Sequence, residues 1–236
     1  MEAIILAGGF GTRLASVLVD RPKALAPVNG EPFLSLLLRR LSRDGFRRVI
    51  VSTGHLGEQI EAELGARSGP VEIVVSQENE PLGTGGATRL AMQLARSSDL
   101  FVMNGDTWID LNYREMLAAH QKRQSRATLA VVEVPDAARY GALEIANDAI
   151  VRFGEKSGSG PGFISAGNYV LHRDIFDSFT LPKRFSIERD FFETHLEELK
   201  PAIFQTTGKF IDIGVPEDLA RAQTIFENER SSAGSS

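Results

Sequence analysis

The feature that most constrains the fold is a glycine-rich loop that directly follows an apolar run. Residues Ala3 to Ala7 are continuously apolar, which is typical of a strand buried on both faces of a parallel sheet. Gly8, Gly9 and Gly11 come next, so they fall where such a strand ends. Ligands bind outside the carboxyl ends of parallel strands, and glycine lets a ligand approach the backbone closely. Successive N–H groups there can surround phosphate oxygens, which makes the loop a candidate phosphate site.

Two common phosphate loops do not fit this stretch. The chain contains no Gly-Lys-Ser or Gly-Lys-Thr triplet to close a Walker loop, and Leu14 stands where a dinucleotide-binding loop needs its third glycine. The glycines alone are equally consistent with a tight turn. Arg13 and Lys23 favour phosphate binding. The planar guanidinium group of Arg13 can bind phosphate oxygens in pairs, and the flexible side chain of Lys23 carries a compact positive charge.

Size and composition narrow the class of protein. With 236 residues and 42% hydrophobic content, the chain is long enough for one large α/β domain. The net charge of -5 and the lack of a dense basic block argue against nucleic acid as a partner. Without cysteine there is no disulfide, thiolate metal site or cysteine nucleophile. The chain shows no basic n-region and no apolar run near ~20 residues, so we expect a cytoplasmic protein without a membrane segment.

The first half of the chain alternates strand and helix patterns. Strands are predicted near 47–52, 71–75 and 100–103, and apolar residues at helical spacing begin at Phe33, near Glu58 and at Ala87. Thr84 is a plausible N-cap of the third helix. This rhythm predicts a parallel sheet with right-handed crossovers, in a Rossmann-like three-layer α/β sandwich. Asp106 follows the strand at 100–103, which places a carboxylate at the same sheet edge as the glycine loop.

The second half is less regular. After a strand at 127–134, residues 140–144 and 149–153 look like a hairpin, and we interpret residues 135–170 as an insertion that forms one wall of a cleft. Ser186 can cap a helix, and Pro216 suits the first turn of the last helix. We interpret residues 1–228 as one domain and 229–236 as a disordered tail. Trp108 either covers the site or anchors the loop after Asp106, and anchoring is the safer interpretation.

The order of these motifs resembles one family, the sugar 1-phosphate nucleotidylyltransferases. The matching segments are Leu6 to Leu14 with Pro22-Lys23, Pro81 to Gly86, Asn104-Gly105-Asp106, Tyr140-Gly141, Glu155-Lys156 and Asp212-Ile213-Gly214. The resemblance spans nearly the whole chain. It implies the nucleotide-diphospho-sugar transferase fold, with a mostly parallel sheet and the nucleotide at the strand ends. Members exchange a nucleoside triphosphate and a sugar 1-phosphate for a nucleotide sugar and pyrophosphate.

Some residues differ from those usual in the family at the same motif positions. Ala15-Ser16-Val17 replaces Pro-Leu-Thr, Ala24 replaces the proline after the lysine, and Val215 replaces threonine before Pro216. The Ser16-Val17 pair, Arg139 to Gly141 and the run from Phe210 to Asp218 look most like the D-glycero-α-D-manno-heptose 1-phosphate guanylyltransferases. These enzymes make GDP-heptose for surface polysaccharide. The resemblance therefore implies GTP and a heptose 1-phosphate as substrates.

The implied chemistry is an in-line attack that brings two anions together, so cations are the catalytic need. The resemblance assigns Mg²⁺ to Asp106 and Asp212, since this ion prefers oxygen ligands and commonly takes one or two carboxylates with substrate phosphates. Arg13 would stabilise the leaving pyrophosphate, and Lys23 would contact the reacting phosphates. Arg13, Lys23 and Asp106 are thus the predicted catalytic residues. Taken alone, either aspartate could be a turn or cap residue.

Two sets of binding residues follow from the resemblance. The carboxylate of Glu78 can accept the paired N–H donors of guanine, although Glu78 could equally be a solvated loop acid. The nucleotide set comprises Leu6, Ala7, Gly8, Gly9, Gly11, Thr12, Arg13, Glu78, Pro81, Gly83, Thr84, Asn104 and Asp106. The sugar-phosphate set comprises Tyr140, Gly141, Glu155, Lys156 and Asn168.

Other functions remain open at this point. The same chemistry could join UTP to N-acetylmuramate 1-phosphate or GTP to mannose 1-phosphate. A non-catalytic nucleotide-sensing module is a further alternative, which loss of Arg13, Lys23 or an aspartate would favour, and all are present. The sequence leaves a homo-oligomer open and predicts neither a nucleic-acid nor a membrane partner.

Overall fold

The computed structural model describes residues 1–9, 11, 14, 17–18, 20–65, 70–154 and 160–233. Its strands are β1 (Glu2–Leu6), β2 (Pro27–Val28), β3 (Glu31–Pro32), β4 (Arg48–Thr53), β5 (Glu72–Gln77), β6 (Asp99–Asn104), β7 (Thr107–Ile109), β8 (Ala127–Val134), β9 (Ala142–Ala146), β10 (Ala149–Phe153), β11 (Gly162–His172), β12 (Ala202–Thr206) and β13 (Phe210–Asp212). Its α-helices are α1 (Phe33–Arg43), α2 (Gly57–Gly65), α3 (Gly83–Met92), α4 (Tyr113–Lys122), α5 (Leu196–Leu199) and α6 (Pro216–Ala233). A 3-10 helix spans Lys23–Leu25, and a π-helix spans Ile187–Glu193.

A nine-stranded sheet in the order β5-β4-β1-β6-β11-β8-β12-β10-β9 forms the centre of the fold. Strands β5, β4, β1 and β6 pair in parallel, as the alternation of strands and helices predicts. Strands β10 and β11 run opposite to the other strands of this sheet. The predicted mostly parallel sheet is confirmed, and the antiparallel pairs lie in its second half. There the predicted hairpin is also found, as β9 and β10.

The core lies on both faces of this sheet, which makes three layers. Ala3 and Ile5 of β1 pack on the side of α1, α2 and α4, whereas Ile4 packs on the side of α3 and the π-helix. Alternate residues of β4, β6 and β8 divide between the two clusters in the same way. Burial on both faces explains the continuous apolar runs in the sequence.

A smaller cluster supports the loops at the carboxyl edge. Trp108 in β7 packs edge-on against Phe226 of α6 with ring centroids 4.8 Å apart, and its indole N–H donates to Asp110. Only 7% of Trp108 is exposed. The structure therefore supports the interpretation that Trp108 anchors the loop after Asp106.

Two boundaries differ from the sequence expectations. Thr84 is not the N-cap of α3, because the helix begins at Gly83 and Leu82 precedes it. The Phe185 carbonyl instead accepts from the N–H groups of Gly85 and Gly86 at the start of that helix. At the other end of the chain, α6 continues to Ala233, beyond the predicted domain boundary at 228, and residues 234–236 lie outside the described residues.

Among the described residues, no helix combines the length and apolar character needed to cross a bilayer.

Candidate active site

The ends of two adjacent parallel strands bring the glycine loop and Asp106 together. Strands β1 and β6 pair with Leu6 opposite Asn104. Beyond them, the N–H of Gly105 donates to the Leu6 carbonyl at 2.9 Å. The two loops therefore leave the sheet side by side, as expected at the carboxyl edge of parallel strands.

A cavity of about 300 Å³, which we call the glycine-loop pocket, lies at this edge. It is lined by ten residues of the predicted nucleotide set: Leu6, Ala7, Gly8, Gly9, Glu78, Pro81, Gly83, Thr84, Asn104 and Asp106. Gly11 lies in an adjoining depression that Lys23 also lines. Thr12 and Arg13 lie outside the described residues.

The two candidate metal ligands converge on one ammonium group. Lys23 Nζ forms a short ion pair with Asp106 Oδ2 and lies 3.7 Å from Asp212 Oδ1. All three side chains are largely buried, with 14–27% of each exposed. Residues separated by most of the chain thus form one charged cluster at the sheet edge.

The backbone of the two loops fixes this cluster. Strands β7 and β13 pair antiparallel, with Asp212 opposite Thr107. The N–H of Ile213 donates to the Asp106 carbonyl at 2.9 Å, and the N–H of Gly214 donates to Asp212 Oδ1 at 2.7 Å. The second bond holds the Asp212 carboxylate in place.

Glu78 projects into the glycine-loop pocket from the loop after β5. Its N–H donates to the Thr53 carbonyl, and its Oε2 accepts from the N–H of Leu82 at 2.9 Å. Partial burial raises the pKa of Glu78, and the hydrogen bond from Leu82 opposes that rise. The carboxylate is therefore a fixed, half-buried acceptor rather than a freely solvated loop acid.

A second cavity of about 570 Å³, the hairpin pocket, adjoins the first. Asn104 and Asp106 line both cavities, and Asp212 lines the second. Tyr140 and Gly141, two members of the predicted sugar-phosphate set, form part of its wall beside the β9–β10 hairpin. The Tyr140 ring packs edge-on against Phe210 at 5.4 Å.

The structure does not bring Asn168 to this wall. Asn168 is 2% exposed, and its side-chain amide donates to the Ala166 carbonyl. Strand β11 has an irregular register between Ser165 and Tyr169, and Gly167 there has a φ of +63°. Ser165, three residues earlier and therefore on the opposite face of the strand, lines the hairpin pocket instead. Glu155 and Lys156, the other two predicted residues on this side, lie outside the described residues.

Several charged residues at the cavities were not found from the sequence, among them Arg184 and Glu188. Arg184 lines the glycine-loop pocket, and Glu188 lines the hairpin pocket. Both belong to the segment around the π-helix, where the sequence indicates a helix cap and apolar spacing but contains no site motif. Their position depends on the packing of Phe185 against α3, where a Cβ on Gly85 would lie 2.1 Å from the Phe185 ring.

The carboxylates suit a hard divalent cation. Asp106 and Asp212 supply oxygen ligands, and both already face a positive charge, that of Lys23. In the described parts of the chain, three or more His, Cys, Asp or Glu side chains nowhere gather as a metal cluster. A metal held by this pair would therefore complete its coordination with substrate or water oxygens, which is how Mg²⁺ usually binds.

Together the fold and this cleft define a nucleotidyltransferase. The chain belongs to the nucleotidyl transferase family, whose sequence model matches residues 2–229.

Two relatives match over nearly their whole length. The D-glycero-α-D-manno-heptose 1-phosphate guanylyltransferase of Aneurinibacillus thermoaerophilus is 38% identical over 228 residues, which are 97% of this chain and 99% of the relative. The enzyme of the same name from Campylobacter jejuni is 36% identical, over 92% of this chain and 96% of its own.

A solved structure agrees with these matches. The crystal structure of HddC from Yersinia pseudotuberculosis is 35% identical to this chain and has a TM-score of 0.84. The match covers 95% of this chain and 99% of the HddC chain. A second HddC structure, with the same scores, is a complex with GMP-PN.

Proposed function

We propose that this protein transfers the guanylyl group of GTP to D-glycero-α-D-manno-heptose 1-phosphate, giving GDP-heptose and pyrophosphate. The names of the two relatives and the GMP-PN complex of HddC support this pair of substrates. GTP is a cytoplasmic metabolite, so we also propose that the reaction takes place in the cytoplasm.

The observation that carries the proposal is the position of the Lys23–Asp106–Asp212 cluster. Asp106 lines both cavities, so the cluster lies where a nucleotide in one cavity would meet a sugar phosphate in the other. Two substrates held in this way react as if at high local concentration.

In the proposed step, an oxygen of the sugar phosphate attacks the α-phosphorus of GTP. The bond from that phosphorus to the bridging oxygen of the β-phosphate breaks, and pyrophosphate leaves with the electron pair. Lys23 would offset the negative charge that the two phosphates bring together. Arg13 is the proposed contact for the departing pyrophosphate.

Asp106 and Asp212 would hold Mg²⁺. When bound, this ion neutralises phosphate charge and helps to orient the phosphates. Lys23 would then exchange its contact with the carboxylates for contacts with phosphate oxygens, which its flexible side chain permits.

Specific groups would recognise the base and the sugar. Glu78 would accept the two N–H donors on the Watson–Crick edge of guanine, next to the backbone of Gly8 and Gly83 in the same pocket. Tyr140 and Gly141 would border the sugar. Lys156 is proposed to contact its phosphate, and Glu155 its hydroxyl groups.

The test is a panel of four nucleoside triphosphates against several sugar 1-phosphates with Mg²⁺, with pyrophosphate release as the measurement. We expect the fastest release with GTP and the heptose 1-phosphate. A faster reaction with mannose 1-phosphate would assign a different sugar to the same chemistry. No release from any pair would refute the enzymatic proposal and favour a nucleotide sensor.

A charge-neutral substitution tests the carboxylate cluster within the same assay. Asp106→Asn should lower kcat by about a thousandfold or more, since it removes a ligand and a charge at the reacting phosphates. Asp177→Asn makes the same chemical change at an exposed turn and should retain the activity of the unchanged protein. Far-ultraviolet circular dichroism should show that both variants are folded.

A further inference from the structure

Glu188 occupies a wall of the hairpin pocket, and nothing in the proposed chemistry uses it so far. It lies on the π-helix Ile187–Glu193 and lines the cavity together with Ser165 and Asp106. Asp106 and Asp212 belong to the phosphate end of this cavity. Glu188 comes from a different element, so it is available to the body of a sugar whose phosphate lies at the aspartates.

A buried tyrosine holds Glu188 in place. Tyr169 on β11 is 1% exposed, and its hydroxyl donates to Glu188 Oε1 at 2.5 Å. The Ser165 hydroxyl lies 3.5 Å from the same tyrosine oxygen. Burial and the nearby Glu188 carboxylate raise the pKa of Tyr169, so its hydroxyl keeps its proton and continues to donate.

This arrangement leaves one carboxylate oxygen for a ligand. Tyr169 engages Oε1 and, among the described residues, is the hydrogen-bond partner of Glu188. A carboxylate oxygen accepts hydrogen bonds and has several lone pairs, so Oε2 can accept from the hydroxyl groups of a sugar. A side chain fixed in this way loses little entropy when it binds, which favours selective recognition.

The charge around Glu188 also restricts the sugar. Glu193 lines the same pocket, and in a π-helix the i→i+5 repeat places residues 188 and 193 on one face. Two arginines in the wall are already paired, Arg139 with Asp218 and Arg189 with Asp190. The wall is therefore suited to hydroxyl groups and unfavourable to a second anionic group on the sugar.

We propose that Glu188, positioned by Tyr169, accepts hydrogen bonds from sugar hydroxyls and determines the selectivity for neutral polyol sugar 1-phosphates over acidic ones. This inference rests on the proposed function, because it assigns the hairpin pocket to the sugar. It places Glu188 in contact with substrate and makes Tyr169 a positioning residue.

The first experiment compares Glu188→Gln with the unchanged protein in steady-state kinetics. The amide keeps the shape but loses the charge and part of the acceptor capacity. We expect KM for the heptose 1-phosphate to rise about tenfold, with KM for GTP and kcat changed by less than about twofold. Glu197→Gln removes the same charge from the exposed face of α5 and should leave all three constants unchanged.

A matched pair of inhibitors tests the charge selectivity. Mannose 1-phosphate and mannuronate 1-phosphate differ by a carboxylate, and their inhibition constants are measured against the heptose 1-phosphate. The unchanged protein should bind the neutral compound more tightly, and Glu188→Gln should reduce this preference about fivefold or more. An unchanged preference would overturn the charge selectivity.

Tyr169→Phe separates positioning from general packing. It should raise KM for the sugar phosphate but not for GTP, and it should add little to the effect of Glu188→Gln in the double variant. A purely structural role would raise both KM values and give additive effects.

Equal sugar KM values in the unchanged protein and Glu188→Gln would overturn the inference while leaving guanylyl transfer intact. Absence of turnover in the unchanged protein would instead refute the proposed function.

Discussion

Burial governs the chemistry of Glu78, the proposed base-recognition residue. Its carboxylate lies in the glycine-loop pocket and accepts from Leu82, while partial burial raises its pKa. A raised pKa in an acid means that the proton is retained to a higher pH than usual. The same shift makes the folded protein lose some stability as the pH rises from the ordinary to the raised pKa, because the unfolded chain releases this proton first.

Glu78 therefore predicts a pH dependence of GTP binding. Only the ionised carboxylate accepts both guanine N–H donors, so KM for GTP should rise as the pH falls through the raised pKa, by up to about tenfold per pH unit. Glu78→Gln should have a higher KM for GTP and a flatter profile over this range. The measurement is KM for GTP from pH 5 to 8.

The control for this profile is Glu80→Gln, which alters an exposed acid of the same loop that pairs with Lys183 at the surface. It should keep the profile of the unchanged protein. A Glu78→Gln profile that matches the unchanged protein would contradict the assigned role of Glu78.

Asn168 and Ser165 show why the side chains that face the cleft could not be chosen from the sequence alone. Both lie on β11 and neither carries a charge, so the sequence offers no ground for choosing between them. Side chains alternate between the two faces along β11, with Ala166 in one core cluster and Tyr169 in the other, so Asn168 and Ser165 lie on opposite faces. Gly167 also approaches Asn104 so closely that a Cβ there would lie 2.3 Å from the Asn104 side-chain nitrogen. This contact exists only once β6 and β11 have paired.

Among the elements, α3 and the segment before the π-helix depend on each other. The Phe185 carbonyl accepts from the N–H groups that begin α3, and the Phe185 N–H donates to the Leu82 carbonyl. The hydroxyl of Thr84 accepts from the N–H of Ile187 at 3.0 Å. These contacts link the glycine-loop pocket to the element that carries Glu188, so the two proposed substrate pockets share one support.

Gly85→Ala should weaken this support. The new Cβ would lie 2.1 Å from the Phe185 ring, so the ring or the helix must shift, and we expect a loss of about 1–3 kcal/mol in the free energy of unfolding. Gly65→Ala is the matched control, since a Cβ at that position in α2 has no neighbour within 4 Å. It should be neutral or slightly stabilising. Urea unfolding measures both, and equal stabilities would argue against the tight packing.

On the scale of the whole molecule, the cleft lies between two parts of one sheet. The parallel strands β5, β4, β1 and β6 supply the glycine-loop pocket, and the later strands with the π-helix supply the hairpin pocket. Strands β9 and β10 of the predicted insertion join the same sheet as β1. The division into one domain with a cleft-wall insertion stays a prediction.

A ligand that binds this cleft only in the folded state should stabilise the protein as a whole. At a hundred times its dissociation constant, a non-hydrolysable GTP analogue should add about 2.7 kcal/mol. For a chain of this length, that raises the unfolding midpoint by roughly 5–10 °C. Differential scanning fluorimetry with GTP and ATP analogues at equal concentration measures the effect. An equal shift with both would contradict guanine selectivity, and no shift with either would contradict nucleotide binding at the cleft.

The sequence by itself determined the alternation of strands and helices, the glycine loop and the two aspartates after strands. These features depend on hydrophobic periodicity and on residues that are close in the chain, and this periodicity is visible in the amino-acid sequence. The family resemblance rested on the order of those same motifs.

Only the tertiary structure decided which distant side chains meet. It placed Lys23 between Asp106 and Asp212, buried Asn168, and brought Glu188 to the cleft through Tyr169. The physical reason is that these contacts depend on strand order, on the pairing of distant strands and on close packing at Gly85. Each of these arises between segments that are far apart in the sequence, where local propensity carries no information.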